Sequence, residues 1–237
     1  MQRAAPLLVA LVLAGCAQTG TVGQSVGNFD PKQIAKADID RVADAHRREV
    51  FASVRVLAEK LYRRNPREWK KGGYASLDDA LNHLLDPRTG WRLPALEGKH
   101  GTDAILLALS AEYSGDRVAA FIAGIGGMLN TAFDEKTEFF MLDDLDPQKL
   151  YNSARNLEIA AWKLANAKDA AGNLLLLSNE AATPMQAGNL SFEREFGKLI
   201  GNLDLLAKLI ADKSNRTLAR VTQSVATAVF LPVAMFR

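Results

Sequence analysis

Cysteine and histidine are nearly missing from this chain: 237 residues hold one cysteine and three histidines. A single cysteine excludes an intrachain disulfide, a CxxC redox pair and a cysteine-built metal cluster. The histidines, His46, His83 and His100, are too far apart for an HExxH zinc helix, and a GxSxG nucleophile turn is also lacking. An excess of positive or negative charge is lacking too. The 29 Lys and Arg face 27 Asp and Glu, for a net charge of +2. That balance argues against a dedicated nucleic-acid binder, which would show a basic footprint. No apolar run approaches the ~20 residues that a membrane-spanning helix needs. Strand-like alternation is almost absent, and there is no internal repeat.

What is present begins at the N-terminus. Arg3 is followed by an apolar run from Ala4 to Leu13, interrupted at Pro6, and then by the small residues Ala14 and Gly15. This is the length and order of a signal-peptide core. The stretch Leu13-Ala14-Gly15-Cys16 resembles the lipobox of bacterial lipoprotein precursors, a resemblance confined to the first 17 residues. It implies that the Cys16 thiol carries diacylglycerol, that the chain is cut before Cys16, and that the new amino group is acylated as well. Two or three acyl chains, at ~0.8 kcal/mol per buried CH₂, make a stable anchor where one would be marginal. Ala17 in place of an aspartate is similar to the pattern of outer-membrane members, so the expectation is an outer-membrane protein facing the periplasm. The mature chain would then keep no free thiol. Residues 1–15 read as signal peptide. Residues 16–29 read as the acylated cysteine and a Gly, Gln, Ser and Thr tether, with an end-to-end distance of roughly 20 Å. Residues 30–237 read as one globular domain.

That domain is expected to be all-α, an irregular bundle of about seven helices. Asp30-Pro31 opens a long helix through Ile39, Val42, His46, Val50, Ser53, Leu57 and Leu61, stopped by Asn65-Pro66. Ser76 to Asp79 forms a capping box for a short helix ending at Asp86-Pro87. Residues 87–101 read as a long Pro- and Gly-rich loop. Further helices are expected from Asp103 to Tyr113, from Asp116 to about Phe133, and from Pro147 to Gly172. The stripe Phe192, Phe196, Leu199, Leu203, Leu206 and Ile210 predicts another, and Leu218, Val221, Val225, Val229 and Phe230 a last one. Residues 174–188 fit either a short strand or a buried helical turn.

Few stretches suggest chemistry. Val118 to Phe133 carries no charge, and Ala120, Ala123, Gly124 and Gly127 would let helix backbones approach closely, in the core, in a membrane-inserting hairpin or in an oligomer contact. The cations Arg63, Arg64, Arg67, Lys70 and Lys71 surround Trp69, a composition suited to an anionic surface; Arg63 and Arg64 would equally complement a helix C-terminus. His46 lies on an apolar stripe and is expected to be a hydrogen-bonded core histidine. His83 lies near Asp79 and Asp86. His100 and Asp103, in a glycine-rich loop entering a helix, form the one place where an acid/base pair is conceivable. Asp143, Asp144 and Asp146 lack the calcium-loop pattern, and Asp146 is explained as a helix cap.

Together these features favour a lipid-anchored, non-catalytic binding or assembly subunit of the envelope, with a protein partner and no cofactor or metal. The alternatives are an envelope hydrolase centred on His100 and Asp103, and an oligomer-forming structural lipoprotein. Replacing Cys16 by Ser is expected to move the protein from membranes to the soluble fraction and to abolish metabolic labelling with palmitate. Full membrane retention of the unlabelled variant would overturn the lipid anchor.

Overall fold

The computed structural model describes residues 38–140, 143–185 and 187–234; the lipobox, its tether and the Asp30-Pro31 helix start lie outside them. Among the described residues seven α-helices follow one another: α1 (Asp38–Arg64), α2 (Pro66–Lys71), α3 (Leu77–Leu84), α4 (Thr102–Ala108), α5 (Arg117–Ala132), α6 (Pro147–Asn166) and α7 (Ser191–Ser214). Among the described residues there is no β-strand, only the isolated bridges Lys168–Leu174 and Glu180–Asn189. The fold is an all-α single domain.

The helix starts follow from side chains that accept orphan backbone N–H groups. Ser76 accepts from the Asp79 N–H, Asp116 from Ala119 and Asp146 from Gln148, with Pro147 at the first position of α6. Asp38 and Asp40 lie in the first turn of α1 and Arg63 and Arg64 in its last, the arrangement the helix dipole favours.

The four long helices close on one another. α7 packs against α1 and α6, and α5 packs against the same two. α4 and α2 cover α5, and α3 lies on α1 and α2. The seam is apolar: Val50, Leu57 and Leu61 of α1, Leu150 and Leu157 of α6, and Phe196, Leu199 and Leu203 of α7 are buried.

α5 is enclosed on all sides. Twelve of its 16 residues are buried and the other four are half-buried. Its glycines make that possible. A Cβ on Gly124 would stand 2.7 Å from the Gly101 carbonyl oxygen and from the Ile105 backbone nitrogen, so α4 sits directly on the α5 backbone there. A Cβ on Gly126 would lie 2.2 Å from the Trp91 ring. Ala120 and Ala123 are fully buried, and Gly127 makes ordinary contact with Gly101 and Trp91. Gly126, the tightest of these positions, falls outside the small-residue spacing by which the sequence marks the others.

Several expectations are corrected. Residues 215–234 form an irregular strap in place of a last helix. Three amides four residues apart on α6 hold it. Gln148 exchanges two hydrogen bonds with the Ala219 backbone, Asn152 donates to the Pro232 carbonyl, and Asn156 exchanges two with Leu231. The strap is rich in Thr and Val, whose branched side chains disfavour helix, and these amides supply backbone partners that a helix would otherwise provide. Val221, Val225 and Val229 are exposed, while Ala228 and Val233 are buried. The helix expected from Asp103 to Tyr113 stops at Ala108, because the Arg117 guanidinium takes the carbonyls of Ala108, Ser110 and Ala111. α6 ends at Asn166, six residues before Gly172, where Asp169 organises a tight turn through the N–H groups of Ala171 and Asn173. Pro66, expected as a stop, also starts α2.

The glycines separate two effects that usually mix. Gly201 on α7 is exposed, with open space where an added methyl would point. Gly201→Ala is expected to stabilise the fold by about 0.5–1 kcal/mol, whereas Gly124→Ala is expected to cost about 2–3 kcal/mol through overpacking against backbone. Urea unfolding of both variants checks the contrast; equal effects would mean that α4 does not seat on α5.

Candidate functional site

Two clefts flank α5, and they differ in how their ionisable groups are used. The first lies between α1, the C-terminal end of α5 and the turn that follows α3. Arg47, Phe51 and Arg55 are spaced by four and share one face of α1. The turn opposite is built locally. Asp86 accepts from the Arg88 N–H, Thr89 donates to the Asp86 carbonyl, and the Trp91 N–H donates to the Thr89 hydroxyl. Gly90 and Trp91 both take positive φ, 56° and 65°. Glycine does this freely; for a bulky residue such as Trp it costs roughly 1–3 kcal/mol and persists only where the surroundings enforce it. Here the surroundings are Gly126, whose missing Cβ receives the indole, and Phe51, whose ring stacks on it at 5.7 Å and 21°. The Arg47 guanidinium completes the column, 4.6 Å above the Phe51 ring centre. The cleft these groups line measures about 490 Å³, with Leu85, Pro87, Asn130 and Glu135 around it.

The second cleft, of about 510 Å³, lies against the N-terminal end of α5 and is lined by Tyr74, His83, Leu96, Tyr113 and Asp116. Behind it is a buried polar network. The Tyr62 hydroxyl donates to Asp116 at 2.8 Å, and Glu68 accepts from the Arg117 N–H at 2.8 Å and pairs with Lys71 at 2.7 Å. Burial raises the Asp116 carboxyl above its ordinary value; the hydrogen bonds from Ala119 and Tyr62 oppose the rise and the Glu68 charge adds to it. Burial, with the charge of Asp116 and its hydrogen bond, likewise pushes the Tyr62 phenol up. These groups fix the junction of α1, α2 and α5, and their lone pairs are largely committed to it.

The residues singled out from sequence are scattered. His100 and Asp103 are both exposed; the His100 ring meets the Gly98 carbonyl at 3.1 Å, and no hydrogen bond joins the two side chains. In the basic stretch Arg63 pairs with Glu59, Arg64 with Glu180 and Lys71 with Glu68, while Lys70 lies over the Trp69 ring and Arg67 is exposed. Trp69 is half-buried against the core. His46 is half-buried, and its Nδ1 is buried without a hydrogen-bond partner, which corrects the expectation of a bonded core histidine. His83 lies against the Tyr74 ring, while Asp79 and Asp86 are engaged by Ser76 and Arg88. Asp143 pairs with Lys136, Asp144 with Arg216, and Asp146 caps α6. Among the described residues no group of three or more His, Cys, Asp or Glu could hold a metal ion. No described helix is long and apolar enough to cross a membrane. Cys16 lies outside the described residues.

The sequence reading missed Arg47, Phe51, Arg55 and Trp91. The first three carry a signal, a cation–aromatic–cation repeat at helical spacing on the rim of an apolar stripe. Trp91 carries none, because its role depends on Gly126, which is 35 positions away in sequence. Set beside known proteins, the chain matches no family model, no curated protein and no solved structure.

Because the fold raises the Asp116 pKa, the stability this group contributes is fully present below the pH at which an unfolded aspartate titrates, and is lost as pH rises through the higher folded value. Asp116→Asn keeps a cap acceptor for Ala119 and removes that titration. The variant is therefore expected to gain stability relative to the parent as pH rises above the range in which an unfolded aspartate titrates. Urea midpoints over that rise in pH check the sign, and a relative loss with rising pH would show that the fold favours the Asp116 carboxylate.

Proposed function

We propose that this protein is a lipid-anchored subunit of the bacterial envelope, held in the outer membrane by acylated Cys16 and facing the periplasm, which binds or assembles another envelope component without catalysing a reaction. The observation that carries this reading is a contrast in how charge is used. In the interior, Asp44, Glu68 and Arg117 are each committed to backbone groups of a neighbouring segment, and Asp116 caps its own helix and accepts from the Tyr62 hydroxyl. At the α1 cleft, Arg47 and Arg55 form no ion pair among the described residues; Arg47 lies over the Phe51 ring, which stacks on Trp91, a residue held at positive φ. Committing ionisable groups to the frame and holding cations and rings at an open cleft suits recognition rather than bond-making. The lipobox resemblance supplies the location.

The test is in-cell crosslinking with the full-length protein, purification from membranes and identification of crosslinked proteins, with Cys16→Ser as the control. A dominant partner that disappears in the control is the expected result. Full membrane localisation with no specific partner would sink the assembly reading. His100→Ala is expected to leave function intact at normal protein abundance, and a clear defect there would favour the hydrolase alternative.

A further inference from the structure

We propose that the α1 cleft is a small-molecule site for an organic monoanion with an apolar body, a carboxylate joined to a hydrocarbon chain or ring. The inference rests on reading the domain as a binding module, and it names the chemistry of one ligand.

Four observations lead to it. The cleft, about 490 Å³, falls in the range of small-ligand sites. Its floor is pre-formed: Phe51 and Trp91 stack at 5.7 Å, Gly126 receives the other side of the indole, and the left-handed backbone at Trp91 holds the ring in place. Both ring faces of Trp91 are therefore covered, so a ligand's apolar body lies along the ring edges and against Leu85 and Pro87, without intercalating. The cations point to the charged end. Arg47 is half-buried, its Nε is buried without a hydrogen-bond partner, and no carboxylate among the described residues lies within ion-pair distance. A half-buried guanidinium with no acceptor among the described residues is placed to receive one from a ligand. Arg55 stands two turns along the same face.

The opposing charges set the valence. Glu135 lines the same cleft. Asp44, one turn before Arg47 on α1, acts on it electrostatically but accepts from the Phe139 N–H. Two guanidinium groups thus stand against two carboxylates, Glu135 in the cleft and Asp44 acting on Arg47, and that opposing negative charge favours a singly charged carboxylate over a doubly charged phosphate monoester.

Calorimetric titration of the full-length, detergent-solubilised protein tests the proposal. The probes are octanoate and cinnamate, each compared with its uncharged amide, octanamide or cinnamamide. Both acids are expected to bind, the amides about tenfold or more weakly, as loss of one charge-assisted hydrogen bond implies. Arg47→Gln and Arg55→Gln should each weaken the acids by a similar factor with an unchanged thermal midpoint. In a Trp69→Phe, Trp162→Phe background, the acids should shift the Trp91 emission. Acids and amides binding equally would overturn the anion preference. Undiminished binding by Arg47→Gln would move the site elsewhere and overturn the assignment. A protein that takes neither acid yet still captures its crosslinked partner loses this inference and keeps the binding-subunit reading; one that binds the acids but captures no partner keeps this inference and loses the assembly role.

Discussion

Burying α5 on every side removes the room for a side chain at two of its positions, and much of the architecture follows from that constraint. An ordinary amphipathic helix has one face for the core and one for water. α5 has no water face: α1, α2, α4 and α6 all pack on it. At Gly124 the entry to α4 rests on bare backbone, and at Gly126 an indole does. Three glycines in 16 residues would each cost a free helix ~1 kcal/mol relative to alanine. Tertiary packing more than offsets that here, because close approach brings Ile105, Phe121 and Ile125 into one fully buried cluster. The same constraint fixes Trp91, and through Trp91 it fixes the floor of the cleft on α1.

A second device recurs where chain without regular structure crosses a helix. Carboxamide side chains act as surrogate peptide groups. Asn156 and Gln148 each give and take a hydrogen bond with one backbone residue of the C-terminal strap, as a neighbouring strand would. Asn65 does the same for Leu177. Asn179 accepts from the first N–H groups of α7. Buried or half-buried backbone must find partners, and in a protein with no sheet among its described residues the amides supply them. These amides give backbone partners to the 174–180 and 215–234 segments, which have no strand or helix of their own.

Charge is distributed by the same rule. Arg117 is buried yet closes the end of α4 by taking three carbonyls, Glu68 ties α2 to the start of α5, and Asp116 ties that start to Tyr62 of α1. Each is a charge made tolerable by several hydrogen bonds. The interior's polar chemistry thus serves the frame. The α1 cleft differs, since Arg47 lies over the Phe51 ring and neither Arg47 nor Arg55 has a carboxylate partner among the described residues.

The sequence by itself determined the helices whose signals are local. Ser76, Asp116 and Asp146 mark starts by capping, and the stripes of α1, α6 and α7 declare their buried faces, because 3.6-residue periodicity and N-cap chemistry depend on neighbours a few positions away. It also marked Gly124 as a place of close approach. It did not distinguish Gly126, the strap over α6, or the early end of α4, since each depends on a partner distant in the chain: Trp91, the amides of α6, and Arg117. The candidate site divides the same way. Arg47, Phe51 and Arg55 stand at visible helical spacing, but only the tertiary structure brings Trp91 against Phe51, because a ring held by a glycine on another helix has no local signature.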